Sequence, residues 1–475
     1  MSATVERCDV VVVGARCAGS PIATLLARQG LKVVVLEQVT FPRNTLSSHI
    51  IQADALSFLD RLGVMDQMHA AQRTLIRGVD MKLEHVHFVA DYPLRPGDPG
   101  GAACIRRFIF DPILADAAIA SGADVRFAHK VVGLVREGER VAGVRVKHER
   151  TEYEIRAPLV IGADGTRSTV AKQVGARSYN VHPNERWYYF AFFEGVDFHA
   201  DPRLTLYRMG DSYTLACPAD SDLYMVGVSP PKSDEPRFKK DLPTAFMDEA
   251  RRCPQVANYL EGATRATKIY GTVRFLGYFR EPVGPGWALV GDSAHFKDPS
   301  IGRGIGDAFM QGEKLVPLIV GALDGSGEPL DDALRTWAAW RDEKFFGHYW
   351  MAIDYARRGR LPLLAAEIIG QMYKRGQSDV VLDLFTHRSR YPDVVTARRV
   401  AGAVLSLYAE HPEERSTLMG ELRTMLPQMA RRRWVRTHPA YESAPVQGGA
   451  AAPLDGSEGA RNGAPAASST PRASV

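Results

Sequence analysis

Cysteine is scarce in this sequence and odd in number: Cys8, Cys17, Cys104, Cys217 and Cys253 are all there is, with no Cys-x-x-Cys pair. Neither a disulfide framework nor a zinc site follows. No histidine cluster stands at metal-ligand spacing, so no metal is expected, and a reducing cytoplasm is the compartment that fits. Charge of one sign is lacking too. The 59 basic and 55 acidic side chains leave a formal +4, too weak a bias to imply a nucleic-acid partner. No apolar run approaches the roughly 20 residues needed to span a bilayer, and the polar N-terminus lacks the apolar core of a secretory signal. A soluble protein is expected.

What is present is ordinary globular composition, 45% apolar and 24% charged over 475 residues, enough for two or three domains. Residues 9–37 read as a βαβ unit. Asp9 to Val13 is a short strand of β-branched residues suited to burial on both faces. Pro21 to Gln29 has helical spacing of Ile22, Leu25 and Leu26. Gly30 is placed to end that helix in a left-handed conformation. Leu31 to Leu36 is a second strand, closed by Glu37. Further on, a helix is expected at 111–121 and strands near 124–135 and 140–147. From 186 to 280, short strands rich in aromatic and β-branched residues (187–194, 205–209, 213–216, 224–228) read as an antiparallel sheet. Residues 330–436 look helical throughout. Beyond about 440, Gly, Ala, Pro and Ser dominate, a composition expected to stay disordered.

Three segments carry chemistry. The first is Gly14-Ala15-Arg16-Cys17-Ala18-Gly19, a turn from strand into helix. Small residues there let backbone approach a pyrophosphate at the positive helix end, and Glu37 can accept hydrogen bonds from an adenosine ribose. Arg16 stands where the middle glycine of a Gly-x-Gly-x-x-Gly turn would be. The second is Leu159-Val-Ile-Gly-Ala-Asp164-Gly165, a strand running into an acidic turn; alone it is a common turn pair. The third is Ala288-Leu-Val-Gly-Asp292-Ser-Ala-His295, followed by Pro299-Ser-Ile-Gly302-Arg-Gly304-Ile305. Asp292 can bind a sugar-alcohol hydroxyl. The Gly302–Gly304 N–H groups, opening a helix, can stabilise negative charge on a reduced ring. The plainer alternative is a glycine-rich loop shaped for packing.

In this order and spacing the three resemble the FAD-binding family of para-hydroxybenzoate hydroxylase and related single-component flavoprotein monooxygenases, over about residues 8–320. The short third motif is also similar to the geranylgeranyl reductase and halogenase branch. The halogenases' Trp-x-Trp-x-Ile-Pro signature has no counterpart, since the stretch at 213–218 reads Tyr-Thr-Leu-Ala-Cys-Pro. The resemblance implies an α/β fold: a Rossmann-like FAD domain (1–180, returning at 281–325), an inserted antiparallel substrate sheet (181–280), a helical C-terminal region (326–438) and a disordered tail (439–475).

It further implies that Gly14, Ala15, Arg16, Ala18 and Gly19 shape the pyrophosphate turn and that Glu37 binds ribose. Asp164 and Gly165 would lie near the pyrophosphate, and Asp292 near the ribityl chain. Pro299, Gly302, Gly304 and Ile305 would face the flavin. Arg107, in Arg-Phe-Ile-Phe-Asp111, resembles the family's FAD-contacting Arg-x-x-(Leu/Phe)-Asp segment, and Arg43 sits in a loop where relatives approach the cofactor. The implied reaction is hydroxylation of an apolar or aromatic small molecule with NAD(P)H and O2 through a flavin C4a-hydroperoxide. Reduction of a prenyl-type double bond and flavin binding without turnover are the alternatives. No triad is expected. His49, His295 and Tyr213 are the nearest candidate bases, the plainer reading of the two histidines being structural or in the cofactor shell. Tyr189, Tyr207 and Tyr213 are candidate walls of a substrate pocket, the plainer reading being a domain core. Oligomeric state is open.

Overall fold

A computed structural model describes residues 5–71, 74–272, 274–323 and 327–442. Its centre is a six-stranded sheet in the order Val283–Gly284, Trp287–Leu289, Leu159–Gly162, Val10–Val13, Val33–Leu36, Asp124–Arg126, parallel except at the Val283–Gly284 edge. Val10 to Val13 and Val33 to Leu36 are all at most 5% exposed. This is why those runs are continuously apolar rather than alternating: helices Gly19–Ala27 and Gly304–Val320 pack on one another and on one face, and a four-stranded sheet covers the other. Each fully buried valine contributes about 1.5–3 kcal/mol. Gly30, at φ 81°, follows the first helix as expected. The expected helix at 111–121 begins a turn earlier, at Arg107.

An eight-stranded sheet forms the second layer. It holds Tyr188–Glu194, Arg203–Met209, Ser212–Pro218 and Tyr224–Val228, close to the expected strands. Two features differ from the expectation of an antiparallel sheet confined to 181–280. Gly78–Leu83 and Val86–Asp91 join it from the N-terminal part, and Gly78–Leu83 pairs parallel with Arg203–Met209. The reason is the same alternation that marks the other strands: Val79, Met81 and Leu83 bury one face.

The two faces of this sheet have different partners. Tyr189, Ala191, Phe193 and Tyr207 pack with helices Glu235–Lys240 and Leu242–Arg251. Phe192, Leu204, Leu206 and Leu215 pack toward Ile50, Ile301 and the C-terminal helices. Those helices run Glu328–Tyr355, Leu363–Lys374, Ser378–Phe385, Tyr391–Val394, Ala397–Glu410 and Arg415–Thr437. Of the tail expected from 439, residues 443–475 lie outside the described residues. Residues 439–442 do not behave as tail: the Glu442 N–H donates to the Ser178 carbonyl at 2.7 Å and Tyr441 bridges to Tyr179.

Candidate functional site

The three sequence motifs meet at the carboxyl ends of adjacent strands. Val10–Val13 lies beside Leu159–Gly162, which lies beside Trp287–Leu289, so the turns after Val13, Gly162 and Leu289 stand side by side. This is the edge at which open parallel sheets take their ligands. Gly14 has φ 103°, and a Cβ there would lie 2.6 Å from the Ala163 carbonyl oxygen; a Cβ on Gly19 would overlap Gly14. The first turn is thus pressed against the second, and both glycines are obligatory. No side chain caps helix Gly19–Ala27 or helix Gly304–Val320.

Glu37 is 4% exposed. Its carboxylate accepts from the Ala15 N–H at 3.1 Å and the Val39 N–H at 3.3 Å. Arg16 does more than replace a glycine. Its guanidinium lies 3.8 Å from both Glu37 and Asp111 and donates to the Thr45 hydroxyl. Arg107 is buried and paired twice with Asp111, at 2.5 and 3.1 Å, one helical turn along. Arg43 is exposed and makes no ion pair among the described residues.

Asp164 accepts from the Thr169 and Val170 N–H groups, at 2.6 and 3.3 Å, while its Oδ1 is buried without a hydrogen-bond partner. Burial raises its carboxyl above the usual range. Gly165 takes φ 75° to make the turn. The Asp292 carboxyl is pushed up to about 6, first by burial and then by Asp307, against the pull of Arg107. Beyond it, Pro299 and Ile301 form a short turn, Gly302 reverses the chain at φ 61°, and Gly304 opens the helix. A Cβ on Gly304 would meet only Asp292 Oδ1, at 3.9 Å, so the approach to the uncapped helix end is open. Ile305 is buried against the Cys17 and Phe309 side chains.

The family model described as FAD binding domain matches residues 7–333. The chain belongs to this FAD-binding family. A digeranylgeranylglycerophospholipid reductase from Methanococcoides burtonii is 27% identical over 321 residues, covering 65% of this chain and 73% of the reductase. A 1H-pyrrole-2-carbonyl-[peptidyl-carrier protein] brominase from Pseudoalteromonas luteoviolacea is 24% identical over 67% and 78% of the two chains. Among solved structures, a flavin-dependent brominase superposes with TM-score 0.68 at 20% identity, over 86% of this chain and all of the other. An anhydrotetracycline hydroxylase from Streptomyces rimosus reaches 0.61 at 20% identity, over 81% and 77%. These likenesses establish the fold, Rossmann-like with a second large sheet and a helical C-terminal region.

The residues present fit FAD. Two uncapped helix ends suit anionic groups, the glycines at 14 and 304 leave backbone accessible, and Asp164 keeps a buried oxygen without a protein donor. Glu37 stands at the end of the second strand, where a ribose hydroxyl would be held.

Against the sheet face nearest Gly302 lies a small, largely apolar cleft walled by Val79, Met81, Leu204, Leu206, Leu215, Leu382 and Phe385, with Ile301 and Gly302 at its border. Gln52 and Tyr92 are its polar members, the Tyr92 hydroxyl donating to Gln52 Oε1 at 3.1 Å. Of the three candidate wall residues, Tyr189 and Tyr207 take the core placement that was their plainer reading. Tyr189 stacks on Phe238 at 4.8 Å and Tyr207 hydrogen-bonds Asp80, both on the opposite face of the sheet. Side chains alternate across a strand, so Leu204 and Leu206 point to the cavity when Tyr207 does not. The alternation of Val79, Met81 and Leu83 was the signal available for the missed strand. Leu382 and Phe385 had none, because they come from a distant helix.

The candidate bases are also placed elsewhere. His49, at φ 59°, accepts the Arg107 N–H on Nδ1 at 3.2 Å and packs edge-on to Phe190 and Phe192. Burial and then the charges of Arg107 and Arg106 push it down to about 3. His295 is sandwiched between Phe279 and Phe345 and held neutral by burial. The Tyr213 hydroxyl donates to the Ser300 carbonyl at 2.5 Å. None of the three borders the cavity.

Proposed function

We propose that this protein is an FAD-dependent monooxygenase that uses NAD(P)H and O2 to hydroxylate an apolar or aromatic small molecule in the cavity beside Gly302. The carrying observation is the composition of that cavity. Apart from Gln52 and Tyr92 its walls are aliphatic and Phe385, and no carboxyl, imidazole, thiol or ammonium group borders it. Reduced FAD supplies the oxygen-activating chemistry when bound. The chain contributes position, an uncapped helix end at Gly304 to stabilise anionic charge, and apolar walls that exclude water.

The second reading, reduction of a prenyl-type double bond, is favoured by the aliphatic walls and by the digeranylgeranylglycerophospholipid reductases among the relatives. Saturating an alkene needs a proton at the second carbon as well as a hydride at the first. A lining whose one phenol, Tyr92, already donates its proton to Gln52 supports oxygen transfer instead, for which no side-chain acid at the substrate is required.

The test is anaerobic addition of NADH or NADPH to the flavin-loaded protein, followed by labelled O2 with a panel of alkylphenols and prenyl alcohols. Bleaching followed by a product carrying one labelled oxygen atom is expected. Gain of two hydrogens without O2 would establish the reductase. A flavin that neither pyridine nucleotide bleaches would mark a non-catalytic binder.

A further inference from the structure

Of the twelve large apolar side chains more than a third exposed among the described residues, six lie between Leu405 and Trp434, on the last two helices. They are not scattered. Helix Arg415–Thr437 turns Leu418, Leu422 and Met425 inward, into the core beside the substrate sheet. Met419, Leu426 and Trp434, 44%, 66% and 59% exposed, flank that inward stripe, and Trp434 stacks only on the exposed His438 ring, at 4.9 Å. They are seven and eight residues apart, so they recur every two turns along one side of the helix. The apolar surface of the helix thus extends beyond the stripe its protein partner covers, and the exposed part lacks one among the described residues.

The charges on the same helix narrow what the other partner is. Its only acid, Glu421, is turned inward and accepts from the Leu363 and Leu364 N–H groups at 2.8 and 3.2 Å. Arg432 pairs with Asp354, and Arg415 covers the Tyr408 ring at 4.3 Å. Arg423, Arg431, Arg433 and Arg436 are exposed and make no ion pair among the described residues. Unpaired cations interleaved with Met, Leu and Trp are what an anionic interface takes: the apolar chains enter it to headgroup depth and the guanidinium groups stay at the phosphates.

We propose that the outward side of helix Arg415–Thr437 docks this protein on the surface of an anionic lipid bilayer. This is surface attachment, since no described helix is long and apolar enough to cross a membrane. A two-fold contact with a second copy would bring these arginines against the same arginines, which argues against self-association. The remaining 33 residues of the chain, 443–475, contain no aromatic residue and carry two acids against two arginines, so they offer neither the apolar surface nor the charge to cover the stripe. The same C-terminal region supplies Leu382 and Phe385 to the cavity wall, which connects the attachment to the handling of apolar molecules.

The test is co-sedimentation of the full-length, flavin-loaded protein with phosphatidylcholine vesicles, with and without phosphatidylglycerol. Binding is expected only when phosphatidylglycerol is present, and it should weaken as salt is raised. Replacing the four arginines (Arg423→Ser, Arg431→Ser, Arg433→Ser, Arg436→Ser) should weaken binding by roughly 100-fold or more. Met419→Ser with Leu426→Ser should abolish it, with flavin absorbance retained. Brominated lipid should quench tryptophan emission in the parent protein and not in Trp434→Phe, a variant that preserves size and needs no refolded surface. Equal recovery with both vesicle types, or unaltered binding by the arginine variant, overturns the proposal. So does a concentration-dependent dimer that the Met419 and Leu426 substitutions dissolve. Because the readout is binding, it stands or falls separately from the oxygenation reading.

Discussion

Arg16 Nε lies 3.8 Å from the Glu37 carboxylate, so the side chain occupying the middle-glycine position of the first turn runs alongside the acid at the end of the second strand. Glu37 also accepts the Ala15 N–H, which ties turn and strand together before any ribose arrives. Glu37→Ala removes both acceptors and should lower FAD affinity by roughly 10- to 100-fold, the worth of a charged hydrogen bond. Glu37→Gln, which keeps an acceptor, should lose less. Equilibrium dialysis against FAD distinguishes the two, and equal loss in both would mean that charge alone matters.

Arg107 and Asp111 form a buried two-pronged pair. Removing one partner leaves an uncompensated charge, so Arg107→Leu should destabilise the fold by about 3–5 kcal/mol, and Arg107→Leu with Asp111→Leu by distinctly less. Urea midpoints measure this. A double variant no more stable than the single would show that Asp111 has other necessary partners, Arg16 among them.

Asp292 should make the flavin-free protein less stable as pH rises. Its carboxyl is raised from 3.8 to about 6, so the folded state holds the proton more tightly than the unfolded chain. The protonated form's advantage is complete below about pH 4 and is lost as pH climbs through 6. The slope follows from linkage, and the full difference is at most roughly 3 kcal/mol. Asp292→Asn should flatten thermal stability between pH 4 and 7, leaving the variant more stable than the parent at pH 7 and about equal at pH 4. Melting curves at both pH values check it, and a parallel pH profile would assign the dependence to another group. The same variant should bind FAD more weakly, since the carboxylate's acceptors are halved.

The meeting of the three motifs at one sheet edge was legible in the sequence because each motif is local. Gly14, Gly19 and Glu37 belong to one βαβ unit whose period and punctuation are readable in thirty residues, and the parallel register then brings Asp164 and Asp292 to the same sheet edge. The cleft proposed for substrate was legible only as a kind of surface. Alternation along 187–194 and 203–209 gives two faces but not which one meets the cofactor. Aromatic content drew attention to Tyr189 and Tyr207, whereas the helices at 235–251 claim that face. The strand at Gly78–Leu83 joins across more than a hundred residues and pairs parallel, a relation that no local pattern encodes. His49 carried a structural reading beside that of a base, and the Arg107 N–H on its Nδ1 accords with the structural one.

That contrast between faces yields the last prediction. Leu382 borders the cavity from the C-terminal helices, while Tyr207 lies across the sheet, bonded to Asp80. Leu382→Trp forces an indole into a cleft with little free space and should cut substrate-stimulated NAD(P)H oxidation at least tenfold, with the flavin spectrum unchanged. Tyr207→Phe removes one hydrogen bond, about 1 kcal/mol of stability, and should leave that oxidation within twofold of the parent. Steady-state rates at saturating nucleotide, taken with flavin content, separate the two outcomes. If Leu382→Trp turned over normally while Tyr207→Phe failed, the substrate would have to lie on the helix-covered face, and the cavity beside Gly302 would have no part in the reaction.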